Sequence, residues 1–589
     1  MKRPLIALLA AAGLMATFAA AGSTATGNRV SPPVRAAQGQ DVYRLPNGLV
    51  APQLSGGVTA AAADMLTEDG AGRGIDHEPP FELSTFGCPN VYRAAGIPDN
   101  IRANQDCSLR RQAEEWVRVN PTDPSNVIVS QNDSRMGFNQ TGLDWSIDGA
   151  QHFGDYAIPT QFARCGGTAP TVDAFSDPSH EFASDGTLYY DAIGFDLFDN
   201  LNGIWAWASN PEHKGSFLHQ PVGSELSATP RTVVEECDPN SAIFHDKQFT
   251  AVDSYPNSPF HNNIYITWTM FDFSCGESGF DYCESPIVIS RSTDRGLTWS
   301  PPQEISGVSE ICRFGDAFDP DENKNSCNSD QGSFPLVGPD GTVYVTFTNF
   351  NTPGIDQAQQ VSQQLFVKST DGGVTWSEPV RVAFVDQTQP FGERFRCVPG
   401  RRCLPPNSYR LSSGPGSMGI DATTGKLAVY WDDFRNGDYP ANTNNDIFMS
   451  FSTNGGETWT KAVLVSRGDG NDSGDSQPAA QWQAWGDVGE NGDLYVAYYD
   501  RQHGICDTRG CNDITLATSS NNGESWTYQR ITTKSMPNLT CENNPFQCGF
   551  LGDYMSIQVT NGEVHIAWAD TRGLGHTVEE DVYYASVPA

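Results

Sequence analysis

The chain has 589 residues, with 71 Asp and Glu against 36 Lys and Arg, for a formal net charge of −35. That length exceeds one ordinary core and implies several domains or one large repeat fold, and so acidic a surface disfavours nucleic acid and anionic lipid as partners. With 57 Gly and 38 Pro, turns are frequent, which suits an all-β chain better than a helical one.

Residues 1–21 read MKRPLIALLAAAGLMATFAAA. Lys2 and Arg3 form a positive start, Leu5 to Phe18 an apolar stretch, and Ala19 to Ala21 a small-residue cleavage site. This is the pattern of a secretory signal peptide. No other run is long and apolar enough to span a membrane, so the expectation is a secreted or periplasmic protein, monomeric and without a membrane span. The 14 cysteines agree with an oxidising compartment. They fall into neighbouring couples, 88/107, 165/237, 275/283, 312/327, 397/403, 506/511 and 541/548, and an even count in an exported chain implies disulfides. With no CxxC pair and few His, zinc is disfavoured.

Residues 22–110 form a second segment. Up to residue 80 it is rich in Ala, Gly, Pro, Ser and Thr, as in a flexible or propeptide-like stretch. Part of 81–110 is a candidate for closing a ring, as argued below.

From 111 to 589 a pattern repeats. A turn with Asp, Asn or Gly leads into an alternating strand seven times: NPTDPSNVIVSQND (120–133), SDGTLYYDAIG (184–194), SPFHNNIYITWTMFD (258–272), GPDGTVYVTFTNF (338–350), ATTGKLAVYWDDF (422–434), GENGDLYVAYYD (489–500) and TNGEVHIAWAD (560–570). Each is a hairpin turn followed by β-branched and aromatic residues. A second motif follows all but the last: STDRGLTW (292–299), STDGGVTW (369–376), STNGGETW (452–459) and SSNNGESW (519–526), with degenerate forms at 146–153 and 209–217. A third strand precedes each copy and a fourth follows it. The unit is therefore four short antiparallel strands with a period of about 60 to 85 residues, the blade of a β-propeller. Seven blades fit the length, with six as the alternative. The last copy, DVYYASVPA, has no fourth strand. In a closed ring the N-terminal side would supply it.

The octapeptide Ser-x-Asp-x-Gly-x-Thr-Trp resembles the Asp box (BNR repeat) of sialidases and related propellers. Two copies match fully, and two carry Asn454 and Asn521 in place of Asp. Its physics is a turn: Ser and Asp bond the loop backbone, Gly supplies positive φ, and Trp packs between sheets. Asn serves as well as Asp, since a cap needs an acceptor rather than a charge, so the boxes are read as structural. The resemblance implies a glycan or glycoprotein ligand, and either a glycosidase or a non-catalytic propeller that binds glycan or protein at its channel mouth. The family's first substrate-gripping arginine lies in a Phe/Tyr-Arg-Ile-Pro motif. The near match YRLP at 43–46 precedes the propeller and is not assigned that role.

Propeller ligands bind at one end of the channel. The inner-strand starts offer Glu114, Glu115, Asp246, Lys247, Asp330, Gln331, Asp487, Asp553 and Tyr554, and the second-strand exits offer Asp191, Asp272, Asp432, Asp433, Arg435, Asp500, Arg501, Asp570 and Arg572. From these, Asp246, Asp487, Asp553, Tyr554, Arg435 and Arg572 are taken as catalytic candidates on position alone. Paired carboxylates are what glycoside hydrolysis uses, whereas the bland alternative is that they pair with each other and cap loops. No cofactor is required by this reading. Asp319, Asp321, Asn323 and Asn325 alternate in a way that suits oxygen ligation of calcium, though the Gly and terminal Glu of an EF-hand are missing. The similar loop Asp469/Asn471/Ser473/Asp475 shares that reading, and solvated acidic loops are the alternative for both.

Overall fold

The computed structural model describes Ser55, Val58 and residues 90–589, apart from 107–110, 137–138, 168–171, 198, 223–226, 275–282, 313–322, 351–360, 387–401, 405–408, 412–415, 437–444, 467–478, 505–510, 538–550 and 573–579. The signal-like stretch, YRLP, Asp319, Asp321 and the 469–475 loop lie outside the described residues.

Seven antiparallel blade sheets follow one another in sequence order, each paired first to second to third to fourth strand, and a separate two-stranded ladder joins Arg402–Leu404 to Tyr409–Leu411. Blade 1 is Gln112–Val119, Val127–Asp133, Gln140–Ser146 and Gly154–Ala157. Blade 2 starts at Ala174–Phe182, blade 3 at Ile243–Val252, blade 4 at Asp330–Val337, blade 5 at Ser417–Ile420, blade 6 at Gln481–Val488 and blade 7 at Ser556–Thr560. The inner and second strands are almost wholly buried, as is every residue of Leu188–Phe195, because neighbouring blades cover both faces. This explains their near-continuous apolar and aromatic runs. The molecule is a seven-bladed β-propeller.

Blade 7 supplies three strands of its own. Its fourth is Ile97–Arg102, which pairs antiparallel with Asp581–Pro588 through Ile101 opposite Tyr584 and Arg102 opposite Tyr583. Val91–Ala94 adds a fifth strand outside it. The first blade and the last are thus joined by a strand from the opposite end of the chain. Polar groups lock this seam. The Asn104 amide donates to Asp581 at 2.9 Å and its carbonyl accepts the Val582 N–H at 2.9 Å. The buried Arg102 lies 3.6 Å from Asp581. Asn100 bridges to blade 6 by donating to the Ile531 carbonyl and accepting from Thr533.

The Asp boxes sit between third and fourth strands, on the same side as the short first-to-second hairpins. In the box at 369–376, the Ser369 hydroxyl accepts the Gly373 N–H at 2.9 Å, and Asp371 accepts the Thr375 N–H at 2.9 Å and the Thr375 hydroxyl at 2.6 Å. The Thr375 hydroxyl bond, and then its amide, hold the Asp371 carboxyl well below the usual range. In the box at 452–459, Asn454 accepts the Thr458 N–H at 3.1 Å and donates back to the Thr458 hydroxyl at 3.0 Å, which shows why the amide substitutes. Each box also touches the preceding blade. Gly456, at φ 83°, lies so close to Phe366 of blade 4 that a Cβ would stand 2.0 Å from its ring. Trp459 meets the same ring edge-on at 5.2 Å. Trp526 is buried, while Trp299, Trp376 and Trp459 are half-buried at their seams.

Two consequences can be measured by denaturant unfolding. Arg102→Ala, which strands Asp581 at the closing seam, is expected to cost about 3–5 kcal/mol, whereas Asp371→Asn is expected to cost under about 0.5 kcal/mol and Asp371→Ala about 1 kcal/mol. A neutral Arg102→Ala, or an Asp371→Asn as costly as the alanine, would contradict this account of the seam and the box.

Candidate functional site

Five inner strands carry the same defect at the same place. In blade 3, Asp246 pairs with Thr269 and Phe249 with Thr267, so two residues of the inner strand oppose one of its neighbour. The same shift falls between Ala113 and Trp116, Ser176 and Ser179, Gln331 and Phe334, and Trp482 and Trp485. These are β-bulges, which bend a strand and re-aim its side chains. The first bulged residue is left-handed throughout: Glu114 (φ 68°), Asp177 (54°), Lys247 (57°), Gly332 (69°) and Gln483 (53°). Four of the five are not glycine, and each such residue costs roughly 1 kcal/mol or more. Gly552 (φ 85°) opens the same turn ahead of blade 7, where a Cβ would come within 2.6 Å of the Glu114 nitrogen.

Two residues after each left-handed position the chain places a large ring, except in blade 2, which has Ser179. The rings are Trp116, Phe249, Phe334, Trp485 and Tyr554. Trp116 lies 4.9 Å from Phe249, 5.5 Å from Trp485 and 6.0 Å from both Phe334 and Tyr554. Contacts between rings of non-adjacent blades are possible only near the axis. The channel is therefore filled by an aromatic plug, and the bulged residues line the mouth above it.

At that mouth, four carboxyl groups and one ammonium meet in full burial: Glu114, Asp177, Asp246, Asp553 and Lys247. Lys247 pairs with Asp553 at 2.8 Å. Glu114 accepts the Asp553 N–H at 3.1 Å and the side-chain amide of Asn132. Asp246 Oδ2 accepts the Gln331 amide at 2.9 Å and the backbone N–H of Ser55 at 2.7 Å. Asp177 Oδ1 accepts the Ser176 hydroxyl at 2.8 Å. Asp177 Oδ2, Asp246 Oδ1 and Gln248 Oε1 accept no hydrogen bond. Burial first, and then the charges of Asp177 and Asp553, push the Glu114 carboxyl well above its ordinary range. Burial and then Asp177 push Asp246 up to about 7. One buried ammonium cannot balance four buried carboxylates, so near neutrality the cluster holds both protonated and ionised carboxyl groups. That mixture is what acid–base chemistry needs.

The other sequence candidates lie elsewhere. Asp487 stands five residues beyond Trp482, which occupies the strand position of Asp246, and so it faces the opposite end of the channel. There it accepts the N–H groups of Val559 and Val488, both at 2.8 Å, and burial raises it to about 6. Arg118 paired with Glu181 shares that end. Tyr554 belongs to the plug, and its hydroxyl donates to the Pro178 carbonyl at 3.1 Å. Arg435 and Arg572 do lie at the face of the mouth, but each closes on the aspartate two residues before it. Arg435 Nε is 2.9 Å from Asp433 Oδ1, and Arg572 Nε is 2.9 Å from Asp570 Oδ1. Trp431 and Trp568 donate to the same two carboxylates, at 3.0 and 2.8 Å. Trp-x-Asp-x-Arg is thus a recurrent clamp at second-strand exits. Of the remainder, Asp191 accepts the Ser179 hydroxyl, Asp330 the Ser306 hydroxyl and the Asn349 side-chain amide, and Asp500 the Thr515 hydroxyl. Asp272 and Asp432 accept the backbone N–H groups of Ser274 and Gln483. Arg501 donates to Asn512 at 3.4 Å. Glu115 is buried on the far side of the same bulge.

Asp177, Asn132 and Ser55 were absent from the sequence reading. Asp177 carries no ring signal, because blade 2 has Ser179 two residues on, where EEW, KQF, GSF, QAW and GDY place a ring. Asn323 caps a turn by accepting the Asn325 N–H at 3.0 Å. Among the described residues, the one metal-like grouping is Cys165, Glu235 and Cys237. Its two cysteines are joined as a disulfide, which rules them out as thiolate ligands, and Cys312–Cys327 forms a second bridge.

No family model and no curated protein matches the chain. Among solved structures, an uncharacterised protein from Dyadobacter fermentans is similar at 10% identity and a TM-score of 0.40, over 85% of this chain and 100% of its own. A Hadza microbial sialidase is similar at 13% and 0.39, over 76% and 73%. A polysaccharide lyase acting on ulvan is similar at 10% and 0.43, over 82% and 95%. At these scores the likeness adds nothing to the architecture already read from the strands.

Buried carboxyls dominate the pH response. Burial is the largest cause of raised values at Asp133, Asp487 and Asp581 (about 6) and at Asp191 and Asp246 (about 7). A carboxyl raised in the folded state stabilises fully below its unfolded value near 3.9, and that contribution is lost as pH rises through the folded value. The melting temperature is therefore expected to be several degrees higher at pH 5 than at pH 8. A flat or rising profile over that range in calorimetry would contradict it.

Proposed function

We propose that this chain is an exported, glycan-acting propeller whose chemistry is carried by the carboxyl cluster of Glu114, Asp177, Asp246 and Asp553 at the channel mouth. The observation that carries this reading is the burial of four carboxyl groups around one lysine, with oxygens of Asp177 and Asp246 that accept no hydrogen bond. In glycoside hydrolysis a protonated carboxyl gives its proton to the leaving oxygen as the C–O bond breaks. An ionised carboxylate attacks the anomeric carbon or takes the proton of the attacking water. Asp246 suits the acid role, because its raised value keeps a proton available near neutrality. Lys247, held against Asp553, is the cation next to the cluster, while Arg435, Arg572 and Arg118 are each held by a carboxylate of their own. This favours a substrate gripped through hydroxyl groups over one gripped by an arginine trio. Secretion rests on the N-terminal pattern of residues 1–21.

A non-catalytic glycan-binding propeller is the second reading, favoured by the full burial of the cluster. The two are separated by turnover of a fluorogenic glycoside panel, sialosides included, alongside glycan-array binding. Asp246→Asn is expected to lower kcat by about 10²–10⁴-fold with the melting temperature little changed. Array binding without turnover would favour the second reading, and neither signal would overturn both.

A further inference from the structure

The candidate site already has an occupant supplied by the chain itself. Ser55 stands 191 residues before Asp246 in sequence, yet its N–H donates to Asp246 Oδ2 at 2.7 Å. Ser55 is 1% exposed and Val58 is 0% exposed. Val58 lies in the apolar cluster formed by blades 2 and 3, with Phe195, Leu197 and Phe244, and its own N–H donates to the Ser55 hydroxyl at 3.2 Å. One polar contact thus sits on the carboxylate and one apolar side chain is wedged beside it. Neither residue belongs to a blade, and no sheet pairing of the ring needs them. Asp246 Oδ2 takes the Gln331 amide and the Ser55 N–H while Oδ1 accepts no hydrogen bond, which is the kind of face that a hydroxyl-rich ligand would satisfy. Gln331 belongs to blade 4, so Ser55 is the donor that comes from outside the blades.

We propose that Ser55 and Val58 form an inhibitory plug, a stand-in ligand that keeps the channel-mouth carboxyl cluster closed until it is displaced. This rests on the reading of that cluster as the functional site, but the closure itself can be tested without any glycan. The backbone donor satisfies Asp246 while offering no bond to cleave, and the wedge of Val58 fixes it by shape. Displacement removes the Ser55 donor from Asp246 and leaves the Gln331 amide on Oδ2. The plug differs in role from the ring-closing strand Ile97–Arg102, which lies after it in the chain and stays in place.

The test uses the full chain with a site-specific protease sequence replacing residues 70–76, so that both parts are present when the protein folds. Carboxyl groups are labelled with a water-soluble carbodiimide and an amine before and after cutting, and sites are mapped by mass spectrometry. Asp246 labelling is expected to rise at least tenfold once the fragment carrying Ser55 and Val58 is released. Asp330, buried and bonded within blade 4, should stay unlabelled as the control for folding. Val58→Asp in the uncut chain should raise Asp246 labelling without cutting. Equal labelling of Asp246 in cut and uncut chains, or none in either with the fragment gone, overturns the plug. Labelling that rises without any glycan binding by the cut chain leaves the plug standing and removes the glycan reading instead.

Discussion

The arrangement depends on one backbone irregularity repeated around a ring. An unbroken inner strand would alternate its side chains between the two neighbouring blades and send none cleanly to the axis. The bulges at Glu114, Asp177, Lys247, Gly332 and Gln483 break that alternation at one height. Above the break, polar side chains converge at the mouth. Below it, Trp116, Phe249, Phe334, Trp485 and Tyr554 close the channel. The strain of four non-glycine residues in left-handed conformation is sustained because the aromatic packing fixes the strand on one side and hydrogen bonds such as that from the Asp177 N–H to the Asn132 side-chain oxygen fix it on the other. Charge then follows geometry, since the plug excludes water from one side and the blades from all others.

The rest of the molecule serves to hold seven sheets at that radius. Asp boxes pin each blade to the one before it on the face away from the mouth, with glycines such as Gly456 allowing contact that a side chain would prevent. The Trp-x-Asp-x-Arg clamps do related work at the mouth face, where Arg572 is also stacked between Tyr92 and Tyr583 at 4.6 and 5.2 Å. Since Tyr92 lies in the outermost N-terminal strand, this clamp ties the ring closure to the seventh blade. Charges that could be mistaken for a binding face are in this way used up in the scaffold.

The blades and boxes were legible because their signals are local: a hairpin turn, an alternating strand and a Trp at fixed spacing. Glu114, Asp246, Lys247 and Asp553 could be placed at the mouth because they start inner strands. Asp487 could not, since nothing in QWQAWGDV marks where the bulge falls, and a left-handed glutamine at 483 looks like any other strand residue. Arg435 and Arg572 illustrate the opposite limit. The Asp two residues earlier was visible in each case, but whether an arginine turns back to it or reaches the axis is a matter of packing against Trp431, Phe448 and Tyr583. The contact between Ser55 and Asp246 joins parts of the chain with no local pattern in common, and only the folded structure brings it out.

The central claim is that buried carboxyls at the mouth hold protons at neutral pH. Infrared difference spectroscopy between the native chain and a Glu114→Gln/Asp246→Asn double variant, both folded at pH 6.5, measures this directly. The account predicts a protonated-carboxyl band in the native-minus-variant difference at pH 6.5 that weakens as the pH rises above about 7 and Asp246 ionises. Identical spectra in that band, with both proteins fully ionised at pH 6.5, would contradict it.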